Sequence, residues 1–185
     1  SRKGIRFLDL QNPDIFHKKL SSLMEYHNFL LKEYFHESPI EVNNVEDEIF
    51  KKYEEVTPFI IDTDEYINDL CKLGGVLFEG AQGTMLDIDH GTFPYVTSSN
   101  TTLSGVVSGT GVNMGLIKYG LGITKAYSTR VGHGPFPSEL KNEIGMKIGE
   151  IGGEVGATTG RTRRCGWLDL KVLKKSIRIN NLSGI

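Results

Sequence analysis

Apolar positions recur at helical spacing through the first third of the chain. A stripe of residues three or four positions apart follows the N-cap and proline signal Asn-Pro-Asp at 12–14. Its members are Phe16, Leu20, Leu23, His27, Leu30 and Tyr34. The same spacing predicts a second helix around 44–56 and a third over 63–73. Residues 1–73 are therefore predicted to form a mostly helical segment.

Beyond this segment the pattern changes to short apolar stretches between glycine-rich turns. The run GGVLFEG at 74–80 predicts a buried strand, and the alternation over 121–132 predicts another. Helices are predicted at 138–151 and 169–180. Strands separated by helices predict an α/β fold with a central, mostly parallel sheet and flanking helices.

A loop rich in hydrogen-bonding groups follows the first predicted strand. The stretch EGAQGTMLDIDHGTFPYVT at 79–97 places Gly80, Gly83 and Gly91 among polar side chains. Glycine permits tight turns and close backbone approach, and ligands of α/β sheets bind at the carboxyl ends of strands. The Gln82 amide can pair with a purine edge, or it can tie the loop to itself. These residues alone allow both a binding loop and a run of surface turns.

Thr97 lies in a second polar stretch, VTSSN at 96–100, which precedes the apolar residues Leu103, Val106 and Val107. This order predicts the N-terminus of a helix, where free N–H groups and the helix dipole favour a phosphate. Helix capping alone would also explain it. The neighbouring DIDH at 87–90 has the side chains of a metal site but matches no established ligand spacing. We predict hydrogen bonds or ion pairs there, and no metal.

The strongest cluster of basic residues is GATTGRTRRCGW at 156–167. Arg161, Arg163 and Arg164 are close together and flanked by glycines. Because guanidinium groups pair with carboxylates and phosphates, the cluster can be a solvated surface or a loop that closes over an anionic substrate. The phosphate-binding patterns G-x-x-x-x-G-K-[ST] and G-x-G-x-x-G do not occur in the chain.

Composition narrows the classes of protein that fit. The chain has 185 residues, of which 38% are hydrophobic and 24% charged, and its net charge of −2 argues against a non-specific nucleic-acid binder. No apolar run reaches the ~18 residues of a membrane span. The widely separated Cys71 and Cys165 fit a reduced, cytoplasmic setting. The chain lacks an initiating Met and ends in INNLSGI, so we expect a piece of a longer protein.

Three long motifs, in this order, resemble the adenylosuccinate synthetase family: FEGAQGTMLDIDHGTFPYVTSSNTT, TRVGHGPFPSEL and GATTGRTRRCGWLDL. The likeness includes SRKGIR at the start and MEYHN at 24–28. It implies a partial, P-loop-NTPase-like synthetase fold. Residues 1–185 would be a single partial domain, with a mostly helical segment at 1–73 and an IMP and aspartate-loop segment at 74–185.

The resemblance also implies an activity. The family is a group of ligases that join IMP and L-aspartate into adenylosuccinate through a 6-phosphoryl-IMP intermediate, in purine biosynthesis. GTP is the co-substrate and Mg2+ the cofactor. Members are usually cytoplasmic homodimers. The resemblance therefore implies no nucleic-acid or membrane partner for this chain.

Individual residues receive roles by the same resemblance. The implied IMP-binding residues are Arg2, Gln82, Thr97, Val131 and Arg161. Gln82 would read the base, Thr97 would contact the phosphate, and Val131 would line the ribose. Arg2 would reach the site of the neighbouring subunit. The implied aspartate-binding loop is Ala157, Thr158, Thr159, Gly160, Arg161, Thr162 and Arg163, of which Arg163 would also contact GTP.

Several family features have no counterpart in these residues: the glycine-rich phosphate loop, the catalytic aspartate and histidine, the magnesium ligands and the guanine-reading segment. Thr162 stands where the family often has arginine or proline, so the resemblance leaves its role within the loop open. We expect no catalytic residue within the chain and no turnover by residues 1–185 alone. The alternatives are a non-catalytic module that binds a nucleotide or another anion, and an interaction fragment whose helical third docks to a partner.

Overall fold

The structure, a computed structural model, describes residues 2–156 and 160–185. The chain divides into two compact units, one up to Ile61 and one from Asp62 onward. Helices predominate over strands in the described residues of both units. Among these residues, no helix is both long and apolar enough to cross a membrane.

The first unit consists of helices. Helix α1 spans Phe7–Leu10, α2 spans Pro13–Leu30 and continues into a π-helical turn at Leu31–Phe35, and α3 spans Val42–Val56 before a 3-10 turn at Thr57–Phe59. Asn12 caps α2, because its side-chain oxygen accepts the N–H of Ile15 at 3.2 Å. The two helices predicted in this part of the chain are confirmed.

The core of the first unit is built on the apolar stripe of α2. Phe16, Leu20 and Met24 are buried together with Leu10 of α1, and apolar residues of α3 pack against them. Phe16 is completely inaccessible and meets Phe50 of α3 edge to face, with 5.1 Å between the ring centroids. Phe16 and Leu20 of the predicted stripe are buried, and Leu23 and Leu30 are half-buried. The prediction is wrong for His27 and Tyr34, which are exposed, and Met24 provides the third buried side chain instead.

Replacing Phe16 with alanine is expected to lower the free energy of unfolding by about 3–5 kcal/mol, because the change removes a buried ring and leaves a cavity. Urea unfolding followed by circular dichroism measures the loss. Phe29→Ala is the matched control, since Phe29 lies on α2 and is 61% exposed. We expect it to change the free energy by less than about 0.5 kcal/mol. Equal losses for the two variants would contradict the core described above.

The second unit contains four helices and two strands among its described residues. The helices are α4 at Thr63–Leu73, α5 at Ser104–Thr110, α6 at Glu143–Ile151 and α7 at Leu170–Asn180, and the strands are β1 at Tyr127–Arg130 and β2 at Arg164–Trp167. Short 3-10 turns lie at Thr84–Leu86 and Met114–Leu116. Asp62, Asn142 and Asp169 cap α4, α6 and α7 through side-chain oxygens. Three of the predicted helices are thus confirmed.

Helix α6 begins five residues after the predicted start at 138. The residues before it hydrogen-bond to β2 instead. The N–H of Leu140 donates to the carbonyl of Cys165 at 2.9 Å, and the N–H of Trp167 donates to the carbonyl of Ser138 at 3.0 Å. A backbone group that pairs with a strand is not available for a helical turn, which accounts for the later start.

The sheet differs from the prediction. Strands β1 and β2 pair antiparallel, with Tyr127 opposite Trp167 and Arg130 opposite Arg164. This two-stranded sheet is the only one in residues 2–156 and 160–185, and a central parallel sheet is not seen there. Strand β1 confirms the second half of the strand predicted at 121–132.

The strand predicted at 74–80 is not formed among the described residues, where the structure has no regular element at 74–80. A strand requires a neighbour for its backbone hydrogen bonds, and no segment in the described part of the chain pairs with 74–80. Leu77, which the pattern places in a core, is 92% exposed. The apolar run has the composition of a strand but lacks a partner among these residues.

Candidate functional site

The loop over 80–101 is organised around one buried carboxylate. Asp87 is completely inaccessible and accepts backbone N–H groups from Asp89 at 3.0 Å, His90 at 2.9 Å and Thr101 at 2.7 Å. The bond from His90, helped by those from Thr101 and Asp89, holds the pKa of Asp87 below its usual range despite burial. Asp87 therefore braces the loop as an anion, which agrees with the predicted hydrogen bonds at 87–90.

A glycine and an arginine pack the same loop more tightly. A methyl group at Gly91 would overlap the carbonyl oxygens of Asp87 and Met85, so only glycine fits there. Arg130, at the end of β1, donates through Nη2 to the hydroxyl of Thr92 at 2.9 Å and to the carbonyl of Tyr95 at 3.1 Å. These bonds connect β1 to the loop. The loop is therefore stabilised by Asp87 from within and by Arg130 from the sheet.

Gln82 lies at an exposed turn of this braced loop. Its backbone is left-handed, with φ of 60°, and its side chain makes no hydrogen bond to any residue that the structure describes. The next residue is anchored, because the hydroxyl of Thr101 donates to the carbonyl of Gly83 at 2.7 Å. The amide of Gln82 is thus presented on a fixed backbone and is not used to tie the loop to itself.

Thr97 belongs to the same loop, but the helix predicted to start there is wrong. Helix α5 begins at Ser104, and the backbone of Thr97 instead donates to the carbonyl of Leu86 at 2.8 Å. These loop hydrogen bonds compete with a helical turn for the same groups. Thr97 is half-buried, and its hydroxyl lies 3.5 Å from that of Ser99. A helix dipole at Thr97 is therefore not part of the site.

The predicted aspartate-binding loop has a hydrogen-bonded base. The N–H of Gly156 donates to the carbonyl of Arg161, and the N–H of Gly160 donates to the carbonyl of Gly156, both at 2.8 Å. The flanking residues Val155 and Thr162 form an antiparallel bridge next to the bond between Gly156 and Arg161. Gly160 has a φ of 62°, a conformation that favours glycine.

The remaining predicted site residues are Ala157, Thr158, Thr159, Arg161, Val131 and Arg2. Ala157, Thr158 and Thr159 lie outside the described residues. Arg161 is exposed, and Val131, which directly follows β1, is 46% exposed. Arg2 is exposed in the first unit.

The last arginine of the loop, Arg163, and the next residue, Arg164, have different environments. Arg164 forms a bidentate pair with Glu139 at 2.7 and 2.6 Å, and its third nitrogen donates to the carbonyls of Gly132 and Gly134. Arg163 makes one side-chain contact in the described residues, from Nη1 to Glu154 at 3.0 Å. The basic cluster is therefore not a simple solvated surface: Arg164 is structural, whereas Arg163 keeps unused donors.

Glu154 connects the base of the loop to β1. Its buried carboxylate accepts the ammonium of Lys125 at 2.7 Å and the hydroxyl of Tyr127 at 2.6 Å, in addition to Arg163. Burial alone would raise the pKa of Glu154, but the hydrogen bonds from Lys125 and Tyr127 outweigh it and hold the pKa below its usual range. One carboxylate facing two cations leaves a net positive charge beside the loop, which suits an anionic ligand.

The structure thus assembles two groups of the predicted residues. Gln82 and Thr97 share the loop around Asp87, and Arg161 and Arg163 share the hairpin based at Gly156. Sequence patterns alone do not single out Glu154 or Arg130. The only local signal for Glu154 is an acidic residue directly before a glycine-flanked basic loop, which is also typical of an ordinary turn.

Comparisons with known proteins show the family of the chain. The adenylosuccinate synthetase family model matches residues 1–185. The chain is 50% identical over 186 residues to the adenylosuccinate synthetase of Chromohalobacter salexigens, which covers 100% of the chain and 43% of that protein. It is 52% identical over 185 residues to that of Xylella fastidiosa, with the same coverage.

A solved structure gives the same result. The fully ligated adenylosuccinate synthetase from Plasmodium falciparum matches with a TM-score of 0.85 and 38% identity, over 98% of this chain and 42% of that one. The chain spans 43% of the length of the curated relatives it matches. With a family match over every residue, the resemblance carried by the three motifs is confirmed, and the chain belongs to the adenylosuccinate synthetase family.

Proposed function

We propose that the full-length protein is a GTP-dependent ligase that joins IMP and L-aspartate to form adenylosuccinate in the purine route to AMP. The observation that carries this proposal is the braced loop over 80–101, which presents the free amide of Gln82 on a fixed backbone. A primary amide offers one donor group and one acceptor, which matches the N–H and C=O of the IMP base. A rigid loop loses little entropy when it binds.

The proposed reaction takes place at the 6-oxygen of the purine ring of IMP. Transfer of a phosphoryl group from GTP to the 6-oxygen of IMP converts that oxygen into a good leaving group, and the amine of aspartate then displaces it as phosphate. The protein contributes positioning and charge stabilisation to such a transfer. We assign Gln82 to the base, Thr97 to the phosphate and Val131 to the ribose of IMP. Arg161 would contact IMP and aspartate.

The second half of the site is the hairpin that carries Arg161 and Arg163. Guanidinium groups are suited to a dianionic amino acid and to the charge that develops on a phosphoryl group. We assign the aspartate carboxylates to the loop from Ala157 to Arg163, and GTP to Arg163. The positive charge left around Glu154 supports these assignments.

Magnesium is the family's cofactor, but the described residues do not fit a site for it. They contain no group of three or more His, Cys, Asp or Glu side chains that could hold a metal ion, and Asp87 is buried and accepts three backbone N–H groups. We therefore propose that the magnesium ligands and the catalytic base are contributed by parts of the full-length protein other than residues 1–185.

The architecture of the full-length protein is also a proposal. Residues 1–185 would be one partial domain of a P-loop-NTPase-like fold, in which other strands pair with 74–80 to complete a mostly parallel sheet. The exposed Leu77 supports this, since an apolar side chain of a central strand needs a covering partner. We further propose a cytoplasmic homodimer in which Arg2 reaches the partner's IMP site.

Turnover tests the proposal. The full-length protein is expected to convert IMP, L-aspartate and GTP into adenylosuccinate, GDP and phosphate in the presence of Mg2+, whereas residues 1–185 alone are expected to show none. Absorbance of the product and release of phosphate measure the reaction. A full-length protein that binds IMP without turnover would contradict the proposed ligase and would favour a non-catalytic binding module.

A further inference from the structure

Glu154 forms two hydrogen bonds with Arg163, which lies opposite it on the hairpin. Its backbone carbonyl accepts the N–H of Arg163 at 2.8 Å, and its carboxylate accepts Nη1 of the same residue at 3.0 Å. The next pair along the hairpin is the bridge between Val155 and Thr162. Arg163 is therefore fixed by Glu154 through both its backbone and its side chain, directly below the loop.

The two oxygens of the Glu154 carboxylate have separate partners. Oε1 accepts Lys125 and Tyr127, at 2.7 and 2.6 Å, while Oε2 accepts Arg163. Lys125 and Tyr127 lie in or beside β1, so the carboxylate is anchored to the sheet by one oxygen and holds the hairpin with the other. This division makes the position of Oε2, and hence that of the guanidinium, depend on the sheet.

Arg163 retains more unused donors than Arg164 does among the described residues. A guanidinium has five N–H groups. In Arg164 all three nitrogens donate to protein oxygens. In Arg163 only Nη1 has a partner among residues 2–156 and 160–185, and Nε is buried there without one. The side chain of Arg163 is 33% exposed, so its other end remains accessible.

We propose that Glu154 is a positioning residue for L-aspartate: it fixes the Arg163 guanidinium through Oε2, so that the N–H groups of Nη2 are held ready for a substrate carboxylate. This inference rests on the proposed function, which assigns aspartate to Arg163. Lys125 prevents Glu154 from neutralising Arg163 completely, because the single negative charge is shared between two cations. The guanidinium thus stays attractive to an anion while its position is fixed.

Steady-state kinetics of the full-length Glu154→Gln variant test this role. Glutamine keeps the shape but removes the charge, and we expect the KM for L-aspartate to rise about 10- to 100-fold, the effect of a lost charge-assisted hydrogen bond. The KM for IMP should change less than about twofold, because the IMP loop is braced by Asp87 and not by Glu154. Glu154→Asp, which keeps the charge on a shorter side chain, should recover part of the affinity.

Glu139→Gln is the matched control. It breaks a closer, bidentate pair, that of Glu139 with Arg164 at 2.7 and 2.6 Å, directly after the aspartate loop. We expect a lower melting temperature and an unchanged KM for aspartate. If Glu154→Gln and Glu139→Gln raise the KM values of both substrates alike, or if neither changes the KM of aspartate, the positioning role is overturned.

Tyr127→Phe provides a milder test if Glu154→Gln does not fold. It removes one hydrogen bond to Oε1 and should raise the KM for aspartate about threefold, again without affecting IMP. An unchanged KM for aspartate would overturn the role. Absence of turnover by the wild-type protein would overturn the proposed function itself, whereas a normal wild type with an unaltered Glu154→Gln variant overturns only the role of Glu154.

Discussion

Replacing Arg161 with alanine is expected to lower kcat/KM for adenylosuccinate formation by about 100- to 1,000-fold, which corresponds to roughly 3–4 kcal/mol of transition-state stabilisation. Arg161 is exposed, and its side chain makes no hydrogen bond to the described residues. Its loss should therefore leave the fold intact, so that the effect on rate reports contact with IMP and aspartate. Steady-state assays on the full-length protein, with aspartate and IMP varied separately, measure it.

Arg178→Ala is the control for this prediction. Arg178 is also exposed and lies in the last turn of α7, where no ligand is assigned. We expect both variants to keep the wild-type melting temperature within about 2 °C and only Arg161→Ala to lose activity. Full activity of Arg161→Ala would contradict the assignment of the loop to substrate.

The second large effect is expected at Asp87. Asp87→Asn should lower the free energy of unfolding at pH 7 by about 2–4 kcal/mol, because the amide carries no charge for the three backbone N–H groups and turns N–H donors of its own toward them. The same change loosens the loop that carries Gln82, so IMP should also bind more weakly. Urea unfolding and calorimetric titration measure the two effects.

The contribution of Asp87 should depend on pH. Its pKa is lower in the folded protein than the usual value near 4 of an unfolded chain, so the stabilisation is complete above about pH 4. It is lost as the pH falls through the folded-state pKa. Asp87→Asn should therefore differ from the wild type most at neutral pH and least in acid. Asp89→Asn, at an exposed neighbour, should change stability by less than about 0.5 kcal/mol. A constant difference from pH 7 to pH 3 would contradict this account.

Local signals in the sequence predicted the helices well. Asn12 caps α2 at the expected residue, and Phe16 and Leu20 of the predicted stripe are buried. Capping and amphipathic period act over three or four residues, so they can be read without knowledge of the rest of the fold.

Features that depend on distant residues were harder to predict. The strand expected at 74–80 needs a partner that its own sequence does not specify. Asp87 is recognisable as polar, but its role depends on Thr101, 14 residues away. Glu154 lies 27 residues from its partner Tyr127. In each case the pattern gives the residue type, and only the fold gives the partner.

Calorimetric titration of IMP into the full-length protein tests the central claim most directly, with Gln82→Ala and Gln11→Ala as variants. Gln11 is the other glutamine of the chain and is also exposed. We predict saturable binding by the wild type and by Gln11→Ala, and binding weakened about 10-fold or more by Gln82→Ala, because the amide that reads the base is removed. Equal affinity of all three proteins for IMP would contradict the claim that the loop over 80–101 recognises the base.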